Sequence, residues 1–280
     1  MESVITFSDL LEEREKLSSP VGFVPTMGYL HEGHLSLVRL AQKECASVVV
    51  SIFVNPTQFS PDEDLEEYPR DLERDIALLE KEGVDLLWIP EEEEMYPDHY
   101  QSWVIVEEVT QPLEGARRPT HFRGVTTVVA KLFNAAQPDK AYFGQKDAQQ
   151  AVVIKQMVRD LNYPVEIVVC PIVREEDGLA MSSRNQYLNR AERRAALSLS
   201  RGLFQARRAF QDGQRDAESL RRIVEERIQE ESLTDVVYVS CADPDSLEEL
   251  DGKVERCLLS LAVFVGDTRL IDNILLGGGK

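Results

Sequence analysis

The chain has 280 residues, enough for one large or two modest hydrophobic cores, and its 43% apolar content is that of an ordinary globular protein. A formal charge of −19 repels phosphate backbones and anionic lipid heads, which argues against a nucleic-acid or membrane binder. It leaves a nucleotide-sized ligand open to local Lys, Arg and backbone N–H groups. No apolar run approaches the roughly 20 residues of a bilayer span. The start, Met1-Glu2-Ser3-Val4, lacks the basic and apolar segments of a secretion signal, so a cytoplasmic location is expected. Cys45, Cys170, Cys241 and Cys257 form no CxxC pair and read as reduced core or near-core residues.

Val21–Pro25 reads as a strand, followed by a loop with Pro25 and Gly28 and an amphipathic helix from about His34 to Cys45. Ser47–Val54, β-branched and nearly all apolar, reads as a strand buried on both faces. Asp71–Glu82 carries Leu72, Ile76 and Leu79 at helical spacing and stops at Gly83. Asp85–Ile89 and Ser102–Val106 read as strands, with Glu91–Glu94 a solvated turn between them. Then come a helix at Val125–Ala136, a strand at Lys140–Phe143, a helix at Asp147–Leu161 and a strand at Val165–Cys170. This alternation predicts an α/β fold with a doubly wound, Rossmann-like parallel sheet, whose ligands sit at the carboxyl ends of the strands.

The texture changes near residues 173–177, which divides the chain into 1–175 and a smaller α+β domain, 176–280. Arg190–Gln211 and Arg215–Glu230 are long helical patterns, and Asp235–Cys241, Arg256–Val265 and Leu270–Leu275 are strand-like. Asp243 followed by Pro244 looks like a helix start.

Several segments carry chemistry. Between the first strand and first helix lies Pro25-Thr26-Met27-Gly28-Tyr29-Leu30-His31-Glu32-Gly33-His34. A helix N-terminus there favours an anion, and two imidazoles can donate to a phosphate that gains charge during transfer. HxxH alone also suits a pair of surface or capping histidines. Its i, i+3 spacing across Gly33 does not match the i, i+4 spacing of a helical HExxH zinc site. Far downstream, Ser182, Ser183 and Arg184 in a glycine-containing loop offer hydroxyls and a cationic fork. Asn55 and Gln58 follow a buried strand and can bond hydroxyl or carboxylate groups. In Tyr142–Gln150, Gly144 permits close backbone approach, Lys146 offers a charge, Asp147 can hold a ribose hydroxyl, and Gln149 or Gln150 must face inward. Arg117–Gly124 is a basic island that reads as a mobile, phosphate-facing loop. For the last three segments a turn, a solvated helix start and a solvated loop are the plainer alternatives.

In combination, PTMGxLHxGH at 25–34, FVNPxQF at 53–59, YPRxLxxD at 68–75, HFxGV at 121–125, YFGxKDxQQ at 142–150 and VRExDGLAMSSRN at 173–185 resemble the pantothenate synthetase family of HxGH nucleotidyltransferases. The match is carried by residues 21–189; Thr120 replaces the glycine common before His-Phe. The resemblance implies that pantoate carboxylate attacks the α-phosphorus of ATP to give pantoyl adenylate and pyrophosphate. β-Alanine then takes the acyl group and releases AMP and pantothenate. It implies that Met27, Gly28, Tyr29, Leu30, His31, Glu32, Gly33 and His34 line the ATP site together with Gly144, Gln145, Lys146, Asp147, Val173, Met181, Ser182, Ser183 and Arg184. His34, His31, Lys146 and Arg184 are the implied catalytic groups, and Gln58, Gln150 and Asn55 the implied substrate groups. Magnesium would bridge phosphates, with Asp75 as its protein contact, and a homodimer through the N-terminal domain is implied. Another HxGH nucleotidyltransferase, or a nucleotide binder without turnover, are the competing readings. The four catalytic groups argue for turnover, since a binder has little need of donors placed for a transition state.

Overall fold

The computed structural model describes residues 1–60, 63 and 65–278. The chain divides into two compact units, one of Met1–Gly144 with Val153–Pro171 and one of Gln145–Val152 with Ile172–Lys280.

In chain order the first unit contains β1 (Glu2–Val4), α1 (Phe7–Glu15), β2 (Val21–Thr26), α2 (Glu32–Glu44), β3 (Ser47–Ile52), α3 (Leu72–Glu82), β4 (Leu86–Trp88), α4 (Glu92–Met95), α5 (Glu114–Arg117), α6 (His121–Ala136) and β5 (Lys140–Gly144). α7 (Ala148–Asp160) begins in the second unit and leads back into β6 (Glu166–Cys170). The strands form one parallel sheet in the order β1-β4-β3-β2-β5-β6. All of β3 is buried, as its run of β-branched residues requires. Adjacent side chains of β2 serve opposite faces. Val24 joins Leu35 and Val38 of α2 and Leu79 of α3 in one core. Phe23 meets Phe133 of α6 edge-on, with ring centroids 6.5 Å apart. From β2 the order runs outward through β3 and β4 on one side and through β5 and β6 on the other, with β1 added at the edge beside β4, so the reversal lies between β2 and β5. An open sheet of this kind binds ligands outside the carboxyl ends of those strands.

In the second unit, α8 (Arg190–Gln211) and α9 (Ala217–Gln229) cover an antiparallel sheet of β7 (Thr234–Ala242), β8 (Cys257–Val265) and β9 (Thr268–Leu276). Leu199 and Leu203 of α8, Leu220 and Val224 of α9, and Leu259 and Leu261 of β8 fill its core. At Gly202 an added Cβ would lie 3.2 Å from the Val224 carbonyl, so the glycine lets the helices close up. Cys170, Cys241 and Cys257 are buried, Cys45 is half-buried, and all four are thiols.

Four details depart from the sequence-based expectations. Residues 101–107 form no regular element and join no sheet. Instead Val104 N–H donates to Thr127 Oγ1 (3.0 Å) and Thr126 Oγ1 donates to the Val104 carbonyl (2.6 Å), leaving Ile105 65% exposed. The apolar, β-branched run at 103–106 carries strand propensity but does not specify a partner strand. Asp243 caps a turn rather than a helix: its Oδ1 accepts from the amides of Asp245 and Ser246, and Leu247 at φ 62° ends any helical path. The acidic run at 91–94 partly forms α4, drawn in by Met95, which is buried. β1 and α1 have no counterpart in the sequence reading, because each buries a single residue, Val4 and Leu10.

Candidate active site

The chain leaves β2 through two successive left-handed residues, Gly28 (φ 81°) and Tyr29 (φ 49°). This turn aims the amides of Tyr29 and Leu30 at one carboxylate. They donate to Asp75 Oδ2 at 2.6 Å and Oδ1 at 2.7 Å. Asp75 is 1% exposed and stands in the first turn of α3, capped by Asp71. Burial raises its pKa above the usual carboxylate value, against the pull of the two amides. Each oxygen faces an amide N–H in a buried setting. The carboxylate anchors the loop, a use that the expectation of a magnesium contact at Asp75 did not include. Among the described residues no group of three or more His, Cys, Asp or Glu side chains is arranged to hold a metal.

That anchor sets the entry to α2. His31 is the N-cap, and its Nδ1 accepts from the Gly33 amide at 3.1 Å. His34 reaches back, and its Nδ1 accepts from the His31 amide at 3.3 Å. The two rings stack with centroids 4.0 Å apart. The histidines thus form a reciprocal capping box, as the plainer reading of HxxH anticipated. Capping also selects chemistry. Because each Nδ1 lone pair accepts a backbone proton, the ring proton of the neutral imidazole sits on Nε2. Both rings are thereby donors at Nε2, at a helix N-terminus whose dipole favours an anion.

The turn after β3 lies against this loop. Gln58 is 9% exposed; its Oε1 accepts from Asn55 Nδ2 (3.0 Å) and its Nε2 donates to Met27 Sδ (3.0 Å). Asn55 Nδ2 also donates to the Gly124 carbonyl (3.2 Å), and its Oδ1 accepts from Tyr96 Oη (2.8 Å) and Thr57 Oγ1 (2.9 Å). With 1% exposure and its amide spent inside the protein, Asn55 orients Gln58 rather than contacting substrate, contrary to expectation. Gly124 is required here, since a Cβ would lie 2.4 Å from the Thr57 carbonyl oxygen.

The basic island is held by contacts of its own side chains and runs into a helix. Arg118 donates to Glu63 Oε1 (2.6 Å) and Oε2 (2.7 Å), which lowers the Glu63 pKa despite burial. His121, 8% exposed, donates from Nδ1 to the Gln58 carbonyl at 2.9 Å. Desolvation, helped by the Arg118 charge, pushes its pKa down to about 4, so the ring is neutral. His121 begins α6, and Arg123 lies over the Trp103 ring. Nothing in the sequence separates a basic loop that meets phosphate from one that braces a neighbouring turn.

In the second unit, Lys146 and Asp147 form a single 3-10 turn with Gln145, and the Lys146 Nζ lies 3.8 Å from Asp147 Oδ1. Gln149 is buried and Gln150 half-buried. The 173–181 segment folds back on itself: the Met181 amide donates to the Val173 carbonyl at 3.0 Å and the Glu175 amide to that of Leu179 at 2.8 Å. Gly178 (φ 97°) makes the turn. Ser182 Oγ accepts from the Arg184 amide at 3.3 Å and so caps the 3-10 turn that carries Ser183 and Arg184. In the first unit two motifs distant in sequence meet, Met27 with Gln58, and in the second a single motif closes on itself, Val173 with Met181.

The model of the family described as pantoate-beta-alanine ligase matches residues 1–275. The chain belongs to that family. It is 57% identical over 269 residues to the pantothenate synthetase of Thermoanaerobacter sp. (strain X514), covering 96% of this chain and 95% of that one. It is also 57% identical over 277 residues to that of Herpetosiphon aurantiacus, covering 99% and 100%. The crystal structure of the Thermus thermophilus pantothenate synthetase superposes with a TM-score of 0.93 at 48% identity, covering 98% and 99% of the two chains. A Francisella tularensis pantoate-beta-alanine ligase, solved as a complex described as beta-gamma ATP and beta-alanine, gives 0.82 at 36% identity, covering 98% and 97%.

Proposed function

We propose that this protein is an ATP-dependent ligase that condenses pantoate with β-alanine through pantoyl adenylate, in pantothenate biosynthesis. The observation that carries the reading is the capped histidine pair: two Nε2–H donors fixed at the start of α2, with Met27 of the same loop touching Gln58.

The chemistry requires such donors. A carboxylate is a poor acyl donor because its leaving group would be oxide. In the first step a pantoate oxygen bonds to the α-phosphorus of ATP and the bond to pyrophosphate breaks, placing charge on phosphate oxygens. His31 and His34, Lys146 and Arg184 are proposed to offset it. In the second step the β-alanine nitrogen bonds to the acyl carbon, the bond to AMP breaks, and the amine loses a proton. Gln58, its amide orientation fixed by Asn55 and Met27, is proposed to hold pantoate beside the β-alanine position, with Gln150 as second pantoate contact. The ATP contacts are proposed at Met27–His34, Gly144–Asp147, Val173 and Met181–Arg184.

Magnesium is proposed to accompany ATP, where it supplies charge neutralisation on the phosphates. Residues 1–175 are proposed as the ATP- and pantoate-binding part and 176–280 as a lid that protects the adenylate from water. A cytoplasmic homodimer joined through the N-terminal domain completes the reading.

The experiment supplies ATP and pantoate and measures pyrophosphate, then adds β-alanine and measures AMP. Pyrophosphate release that needs pantoate, followed by AMP release that needs β-alanine, is the expected result. Pyrophosphate release indifferent to both acids would point to another nucleotidyltransferase, and no release at all to a binder without turnover.

A further inference from the structure

Strand β9 carries Asp272 and Asn273 side by side, both buried, at 2% and 3% exposure. Consecutive strand residues point to opposite faces, so one dipeptide can brace two segments. Asn273 Nδ2 donates to the carbonyls of Gln145 and Lys146, both at 2.9 Å, and its Oδ1 accepts from Gln145 Nε2 at 3.0 Å. Asp272 takes the Arg174 guanidinium in a fork, Oδ2 at 2.6 Å and Oδ1 at 2.9 Å. Arg174 in turn donates to the Gly178 carbonyl at 3.2 Å, inside the fold of the 173–181 segment. All these residues lie in the second unit.

Residues Gln145–Asp147 form one 3-10 turn, too short to hold its own shape. Its two carbonyls are satisfied by a side chain more than a hundred residues away, and asparagine suits the task because its amide presents two donors and an acceptor at once. Aspartate has no donor to offer, and alanine leaves two carbonyls and the Gln145 amide unmatched. Lys146 places its ammonium at the end of a flexible stem, so the position of its Cα is the first thing that must be held. We infer that Asn273 is a positioning residue for Lys146, bracing the turn that carries it, while Asp272 braces the 174–178 turn through Arg174. The inference rests on the proposed role of Lys146 toward ATP.

A double-mutant cycle on the full chain tests it. Steady-state pyrophosphate release with ATP, pantoate and varied β-alanine is measured for wild type, Asn273→Ala, Lys146→Ala and the double variant, with thermal unfolding to confirm that each is folded. Loss of the three side-chain hydrogen bonds at the brace predicts a fall in kcat on the order of tenfold for Asn273→Ala, with KM for β-alanine within about twofold of wild type. In the Lys146→Ala background the same change is expected to cost less than about twofold, because the group it positions is gone. Asn273→Ser, which keeps one donor, falls between, and carries the test if the alanine variant does not fold. An equal loss in both backgrounds, or a folded Asn273→Ala enzyme with wild-type kcat, overturns the brace. Near-normal turnover in Lys146→Ala alone overturns the role of Lys146 and the brace with it; an impaired Lys146→Ala with additive losses overturns the brace only.

Discussion

Asp75→Asn keeps the size of the side chain and removes one of its two acceptors. In the wild type the carboxylate accepts the amides of Tyr29 and Leu30 at 2.6 and 2.7 Å. Hydrogen bonds to a charged group contribute about 1.5–3 kcal/mol each, so the pair contributes roughly 3–6 kcal/mol before the cost of burying the charge. Asparagine keeps one bond at about 1 kcal/mol and turns its own NH2 group toward the other amide, which then loses its partner at a further cost of about 1–3 kcal/mol. Removing a buried charge returns part of this, as the raised Asp75 pKa implies. A net destabilisation of about 2–3 kcal/mol is expected. Tyr29, held left-handed at φ 49°, is then free to relax, and the His31–His34 cap moves with it. The assay is urea unfolding together with initial rates as a function of ATP and of magnesium. A lowered midpoint at unchanged slope, a higher KM for ATP and an unchanged half-maximal magnesium concentration are expected. Wild-type stability and kinetics would refute the anchor, and unchanged stability with a large rise in magnesium requirement would make Asp75 a metal contact after all.

His121 is neutral in the folded protein with a pKa near 4, against about 6.5 unfolded, so the unfolded chain binds the extra proton between those values. Its contribution is present above the unfolded pKa and is lost as pH falls toward 4, amounting to about 2 kcal/mol between pH 7 and pH 5. His121→Asn, which keeps a donor for the Gln58 carbonyl, should flatten that part of the stability–pH curve; an unchanged curve would mean the ring titrates normally. At Gly144 an added Cβ meets no atom within 4 Å, so Gly144→Ala should melt within a degree or two of wild type yet raise KM for ATP severalfold. A normal KM would remove Gly144 from the ATP contacts. His34→Ala and Lys146→Ala should each lower turnover by a factor on the order of 10² with the fold intact by circular dichroism, and near-normal kinetics in either would count against its role.

Much of the fold is local enough to read directly. The apolar run of β3, the spacing of Leu72, Ile76 and Leu79 in α3 with Gly83 as its stop, and the long apolar stripe of α8 each specify an element without reference to the rest of the chain. Elements that bury one residue, such as β1 and α1, carry too weak a pattern to be seen. The 101–107 segment carries a strand's pattern yet pairs with no strand, because side-chain hydroxyls of α6 reach it instead.

At the site the division runs along the same line. Residue type and order alone determined the class of chemistry: histidines at a strand-to-helix turn, amides after a buried strand, and a Lys-Asp and Ser-Ser-Arg pair further on. Tertiary structure decided what each polar atom is used for. It turned Asp75 and Asn55 inward as supports, made His121 a neutral brace on Gln58, and brought Asn273 to the carbonyls of Gln145 and Lys146. The reason is that a buried polar atom is fixed by its partner, and the partner lies 46 residues away for Tyr29 and Asp75, 63 for His121 and Gln58 and 127 for Asn273 and Lys146. Such separations leave no periodicity to read, and only the packed chain closes them.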